Sequence, residues 1–175
     1  MQNKKSLLKT TYTAIFTAII MLCTMLIKFS TGLGEGYIHF GDCFIYLTAC
    51  VLPFPYCFVA SAIGGALADI LGGYAVWAIP TAIIKILIAL PFMAICRRNK
   101  TAKILNIKVA LMTIISGVIS IIGYFIAECI LYSVPSATLS ILGNTIQAVS
   151  SGILFVIVAG ALDKMNFKSR IFKGV

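Results

Sequence analysis

The sequence predicts an all-α integral membrane protein: six transmembrane helices in a single domain over residues 1–175, with both termini cytoplasmic. Three observations carry that expectation. Of the 175 residues, 61% are hydrophobic and 11% charged, and the mean hydropathy is +1.06; soluble proteins hold only about 45–50% apolar residues. Several segments of roughly 20 residues are almost free of charge, the length a helix needs to cross the hydrocarbon core, and the alternating segments of about ten residues that mark a β-barrel are absent. Finally, the net charge of +9 is gathered in clusters. Lys4, Lys5 and Lys9 open the chain, Arg97, Arg98, Lys100, Lys103 and Lys108 share one connection, and Lys164, Lys168, Arg170 and Lys173 close it. Basic residues in short connections mark the cytoplasmic side, so the charge reads as topology rather than as a nucleic-acid surface.

The first span is placed at 6–29. It is too long for the apolar region of a cleaved signal and lacks a small-x-small cleavage site, so it reads as a retained helix. The stretch 40–72 is too long for one straight span, and "LPFPY" at Leu52–Tyr56 divides it, because prolines remove backbone donors and disfavour helix in the residue before each ring. This gives a short helix at 40–52, about 20 Å long and unable to span alone, and a second at 56–72. Spans at 76–96, 108–132 and 138–162 complete the set. Six spans put all three basic clusters on one side, whereas five would strand the 97–108 connection outside. None of the six cysteines forms a CxxC pair, and they read as small packing residues.

With this topology the intramembrane polar residues collect in the outer half. Lys28 ends the first helix, and Glu35, His39 and Asp42 lie in or just after the first outer loop. Asp69 is near the outer end of helix three, with Tyr74 and Trp77 just beyond it. Lys85 is near mid-depth, Glu128 one turn from the outer end of helix five, and Asn144 and Gln147 in the outer third of helix six. They are also organised by face. Ser140, Asn144, Gln147 and Ser151 form one stripe, as do Ser116, Ser120, Tyr124 and Glu128, and Trp77, Thr81 and Lys85. A charge at the bilayer centre costs about 2.5–3.5 kcal/mol, so such residues turn inward and commonly mark function. Converging stripes describe a polar pocket opening outward. His39 and Asp42, three residues apart, are placed to meet on a first helical turn, and Asp69 reads as a helix cap or as a partner for Lys85. "GLGEG" lacks the strand and helix of a dinucleotide site and reads as a flexible lid. Ala14 and Ala18 form a small-xxx-small face for close helix contact.

The run "GYIHFGD", the block "GGALADILGGYAVWAIPTAIIKILIA", "GNTIQ", and the Ala14/Ala18 face resemble the substrate-binding S components of energy-coupling factor (ECF) vitamin transporters, nearest the riboflavin-type and hydroxymethylpyrimidine/pyridoxine-type branch. The resemblance covers essentially the whole chain. It implies that Ala14 and Ala18 contact a transmembrane coupling subunit and that Thr31–Tyr37, with Gly32, Gly34, Glu35, Gly36 and Tyr37, acts as a lid. It also implies that a vitamin sits at the outer face, and that two ATP-binding subunits supply the energy in the plasma membrane of a prokaryote. The chain itself has no GxxxxGK[ST] motif. The expected substrate site is His39, Asp42, Asp69, Tyr74, Trp77, Lys85, Glu128, Asn144 and Gln147, with no cofactor, metal or nucleic acid. A small neutral or weakly basic, hydroxyl-bearing ring, pyridoxine-like or hydroxymethylpyrimidine-like, suits its charges. Two alternatives stand beside this reading: a self-sufficient ion-coupled carrier or channel, and a membrane enzyme using His39, Asp42 and Asp69.

Overall fold

In the computed structural model, residues 2–26, 28–30, 37–98 and 103–171 are described. Helix α1 runs over Gln2–Met25, and two short strands follow, β1 at Lys28–Ser30 and β2 at Tyr37–His39. Then come α2 (Gly41–Val51), α3 (Tyr56–Leu71), a 3₁₀ turn at Ala75–Trp77, α4 (Ala78–Arg98), α5 (Ile107–Leu131), α6 (Val134–Lys164) and α7 (Phe167–Ile171). Among the described residues, four segments are long and apolar enough to cross a membrane: Lys4–Met25, Ala75–Cys96, Ile107–Leu131 and Val134–Lys164. Helices α2 and α3 are apolar but shorter.

The structure corrects three sequence expectations. The chain is helical apart from one short strand pair, which forms because the first helix stops at Met25 instead of reaching residue 29. Lys28 therefore lies on a strand and not at a helix end. It pairs with His39 across an antiparallel hairpin in which Phe29 faces Ile38 and Ser30 faces Tyr37. Both strands are rich in aromatic or β-branched residues, but three residues are too few for a period to be read. Of the expected lid, Tyr37 falls on β2, while Thr31, Gly32, Gly34, Glu35 and Gly36 lie outside the described residues. The last span begins at Val134, four residues earlier than expected. Ser133 caps it by accepting from the Ser136 N–H at 3.4 Å. Pro135 then sits in the first turn, where its missing N–H costs nothing.

Helix α2 occupies the middle of the bundle, in contact with α1, α3, α4 and α6. Ten of its eleven residues are buried, as expected of a helix that is apolar all round. Tyr46 stacks on Phe92 of α4 with centroids 4.5 Å apart, and Phe155 of α6 meets Phe92 edge-on at 5.1 Å. One helical turn on, the Cys50 and Cys96 sulfurs lie 3.1 Å apart. The partners advance together along α2 and α4, so these two helices run parallel. Helix α3 returns between them, after the prolines at 53 and 55.

Two adjacent glycines on α3 set its closeness to both neighbours. A Cβ on Gly64 would press on Ile20 and the Thr17 carbonyl of α1, and one on Gly65 would lie 2.9 Å from Cγ of Lys85 on α4. Gly73 turns the chain after α3 at φ +88°, a conformation that costs glycine nothing. At the opposite end, the Asp163 carboxylate accepts the backbone N–H groups of Ile104 and Leu105 at 2.6 and 2.8 Å, tying the start of α5 to the end of α6.

Because the Gly65 face is filled by the Lys85 stem, Gly65→Val is expected to lower stability by about 1–3 kcal/mol through overpacking, read as unfolding of the detergent-solubilised protein. Gly160→Ala is the control. Its added methyl meets only Leu105 at 3.7 Å, so it should be neutral or slightly stabilising.

Candidate functional site

The centre of the polar region is an ion pair. Lys85 Nζ lies 2.5 Å from Asp42 Oδ1, and both side chains have zero exposure. Asp42 stands in the first turn of α2, where an acid also favours the helix N-terminus. Its other oxygen, Oδ2, accepts from Gln147 Nε2 of α6 at 3.1 Å, so one carboxylate joins three helices. Lys85 completes its surroundings with the ring of Tyr124 on α5, 5.2 Å from Nζ, a cation–π distance. These contacts correct two expectations. Lys85 takes Asp42 and not Asp69, and both carboxylate oxygens of Asp42 are bonded to Lys85 and Gln147 rather than meeting His39.

His39 is buried at the end of β2, 4% exposed. Its Nδ1 accepts the Gly41 N–H at 3.1 Å, so that nitrogen carries no proton. Burial above all, then the nearby Lys85 charge, pushes the imidazole down to about 3, against an opposing pull from Asp42. His39 is therefore neutral across the physiological range. Its carbonyl accepts from Ser151 Oγ of α6 at 3.4 Å, which holds β2 against the bundle.

Beside the pair lies a cavity lined by His39, Asp69, Tyr74, Trp77, Thr81, Tyr124, Glu128, Ser140, Asn144 and Gln147. Seven of the nine expected site residues line it. The other two, Asp42 and Lys85, are sealed alongside and reach it through Gln147. Thr81, Tyr124 and Ser140 are the lining residues absent from the expected set. Each sits on a polar stripe legible in the sequence, and that periodic signal identifies them.

The stripes explain the assembly. On α6, Ser140 bonds Glu128, Asn144 faces the cavity, Gln147 bonds Asp42, and Ser151 bonds the His39 carbonyl. On α5, Ser116 donates to the Ile88 carbonyl at 2.7 Å, next to the Leu87 carbonyl that Pro91 leaves without its N–H partner. Ser136 and Ser140 both donate to Glu128 Oε1, at 3.1 and 2.7 Å. At the aromatic wall, Trp77 Nε1 donates to the Tyr132 hydroxyl at 3.3 Å, and its ring lies 6.0 Å from Tyr124. Among the described residues, two carboxylates and no lysine or arginine line the cavity, which makes that part of it hospitable to hydrogen-bond donors and to neutral or cationic rings. The acid–base alternative finds little to work with: Asp42 is committed to Lys85, and His39 Nδ1 to the backbone.

The family model for the S component of ECF-type riboflavin transporters matches residues 4–164. An uncharacterised protein of Pyrococcus woesei is 28% identical over 152 residues, covering 87% of this chain and 96% of that one. The crystal structure of the biotin S component of an ECF-type transporter aligns with a TM-score of 0.65 at 19% identity, over 94% of this chain and 95% of that one. That likeness is one of fold.

Removing one member of the buried pair strands the other charge, so Lys85→Met is expected to cost about 3–5 kcal/mol. The double variant Lys85→Met with Asp42→Asn should recover much of that loss. Unfolding of the two variants side by side measures the coupling, and equal loss in both would mean the ion pair itself contributes little.

Proposed function

We propose a substrate and a membrane orientation for this chain, which belongs to the family of ECF-type riboflavin transporter S components and is therefore a substrate-binding transport subunit and not an enzyme. S components work with a transmembrane coupling subunit and ATPases. In the orientation proposed here all six apolar helices are embedded in the plasma membrane of a prokaryote. The cavity opens to the outside, and both termini and the 97–108 connection lie in the cytoplasm. The basic clusters support this, because Lys and Arg concentrate on the cytoplasmic side.

The proposed ligand is a small, hydroxyl-bearing, neutral or weakly basic aromatic ring, pyridoxine-like or hydroxymethylpyrimidine-like. It is bordered by Trp77 and Tyr74 and hydrogen-bonded by Asn144, Gln147 and a carboxylate. The observation that carries this reading is the lining: Asp69 and Glu128 face the cavity while Lys85, the cation beside it, is neutralised by Asp42. Among the described lining residues a polyanionic ligand would meet two carboxylates, which repel it. Residues 31–37 serve as the lid, with His39 at its base. A flavin is the second reading, favoured by the name of the matching family model.

Thermal unfolding of the purified protein against a panel of pyridoxine, hydroxymethylpyrimidine, riboflavin and biotin decides between these. Nanomolar binding corresponds to about −12 kcal/mol, and a ligand at 100 times its Kd stabilises by about 2.7 kcal/mol. The expected outcome is stabilisation by one of the two smaller rings. Stabilisation by riboflavin alone would replace this substrate assignment.

The coupling contact is proposed at Ala14 and Ala18. Both are exposed on α1, while Thr13, Phe16, Ile20 and Thr24 on its other side are buried. Small residues on an open helix face allow close approach of another helix. Ala14→Trp with Ala18→Trp should leave ligand binding unchanged and abolish ATP-driven uptake in vesicles containing the coupling subunit and ATPases. Uptake by the chain alone, without those partners, would instead support the self-sufficient carrier.

A further inference from the structure

The cavity's two carboxylates are not equivalent to the one sealed beside it. Asp42 has given one oxygen to Lys85 and the other to Gln147. Glu128, only 2% exposed, directs both of its hydrogen bonds to the same atom: the hydroxyls of Ser136 and Ser140 converge on Oε1. Among the described residues no hydrogen bond is seen to Oε2, and Glu128 is one of the residues lining the cavity. The two serines come from the first turns of α6 and the glutamate from the end of α5, so the carboxylate is oriented across the α5–α6 junction.

We infer that Glu128 is the specificity-determining residue, and that it reads a hydrogen-bond donor carried on an aromatic nitrogen heterocycle, either an exocyclic amine or a protonated ring nitrogen. This rests on the proposed role of the cavity as the ligand site and narrows its substrate class. An oriented acceptor in a dry, preorganised place discriminates strongly, because a ligand without the donor leaves a buried carboxylate oxygen unpaired. A ligand presenting its own carboxylate there is excluded by like charge. The ring has a wall to lie against, since Tyr124 stands one helical turn from Glu128 and Trp77 packs beside Tyr124. Ser140 acts as a positioning residue: it touches Glu128 and fixes which oxygen faces inward.

The test uses the purified full chain and two probes, a 4-aminopyrimidine bearing a hydroxymethyl group and the same ring without the amine. Wild type should prefer the amine by roughly 10- to 100-fold in Kd, the range of a hydrogen bond to a charged group. Glu128→Gln keeps the shape and retains an oxygen for both serines, but it can place an N–H donor where Oε2 stood, and it should erase that preference. Ser140→Ala keeps the charge and should reduce the preference by a smaller factor. A carboxylate that merely ties α5 to α6 would lower both affinities equally and leave their ratio untouched; that result overturns the inference. Wild type that binds riboflavin or biotin and neither pyrimidine also overturns it, while leaving the S-component reading intact. Binding to none of these overturns the cavity assignment as well.

Discussion

The arrangement depends on a lysine that cannot remain alone in an apolar bundle. Lys85 is fully buried on α4, and an isolated charge at that depth costs several kcal/mol. Asp42 neutralises it only if α2 is threaded into the centre of the bundle with its first turn beside the middle of α4. That requirement accounts for much of the local architecture. Helix α2 is about 16 Å long and touches four other helices, so its burial comes from protein rather than lipid. Gly65 lets α3 approach closely enough to cover the lysine stem. Gln147 then adds α6 to the same carboxylate.

A neutralised pair also shapes the chemistry of the space next to it. Had Lys85 pointed into the cavity unpaired, the lining would carry a cation able to grip carboxylates or phosphates. With Asp42 in place, the cavity keeps the character of Asp69, Glu128, neutral His39, amides, hydroxyls and aromatic rings. The same internal bonds that stabilise the helices thereby narrow what the cavity accepts. Opposite this polar side, the outward face of α1 is smooth at Ala14 and Ala18. The proposed ligand cavity and the proposed helix-docking face thus lie on different elements, as suits a subunit relying on partners for energy.

Much of this was legible in the chain because a helix projects its sequence with a fixed period. The stripe Ser140, Asn144, Gln147 and Ser151 could be drawn before any coordinates, and each of its members bonds or lines the site. The Trp77–Thr81–Lys85 and Ser120–Tyr124–Glu128 rows likewise converge. The misreadings occurred where local chemistry is ambiguous. The apolar run from α1 continues into residues that are equally good strand formers, so the hairpin that ends it was hidden. The last helix starts before Pro135, because a proline in the first turn behind a serine cap is compatible with helix.

The sequence by itself determined that the chain is a set of apolar helices and that polar side chains share particular faces, the faces that border the cavity. These follow from composition and from the 3.6-residue period, which act over one or two turns. Only the tertiary structure decided the pairings: Lys85 with Asp42 across 43 positions, Asp42 with Gln147 across 105, and Glu128 with the two serines of the next helix. Asp69 and Asp42 are equally plausible partners for a lysine when only the chain is read. The packing of α2 inside the bundle chooses between them, because close approach and exclusion of water, and not separation along the chain, set the strength of a buried charge pair.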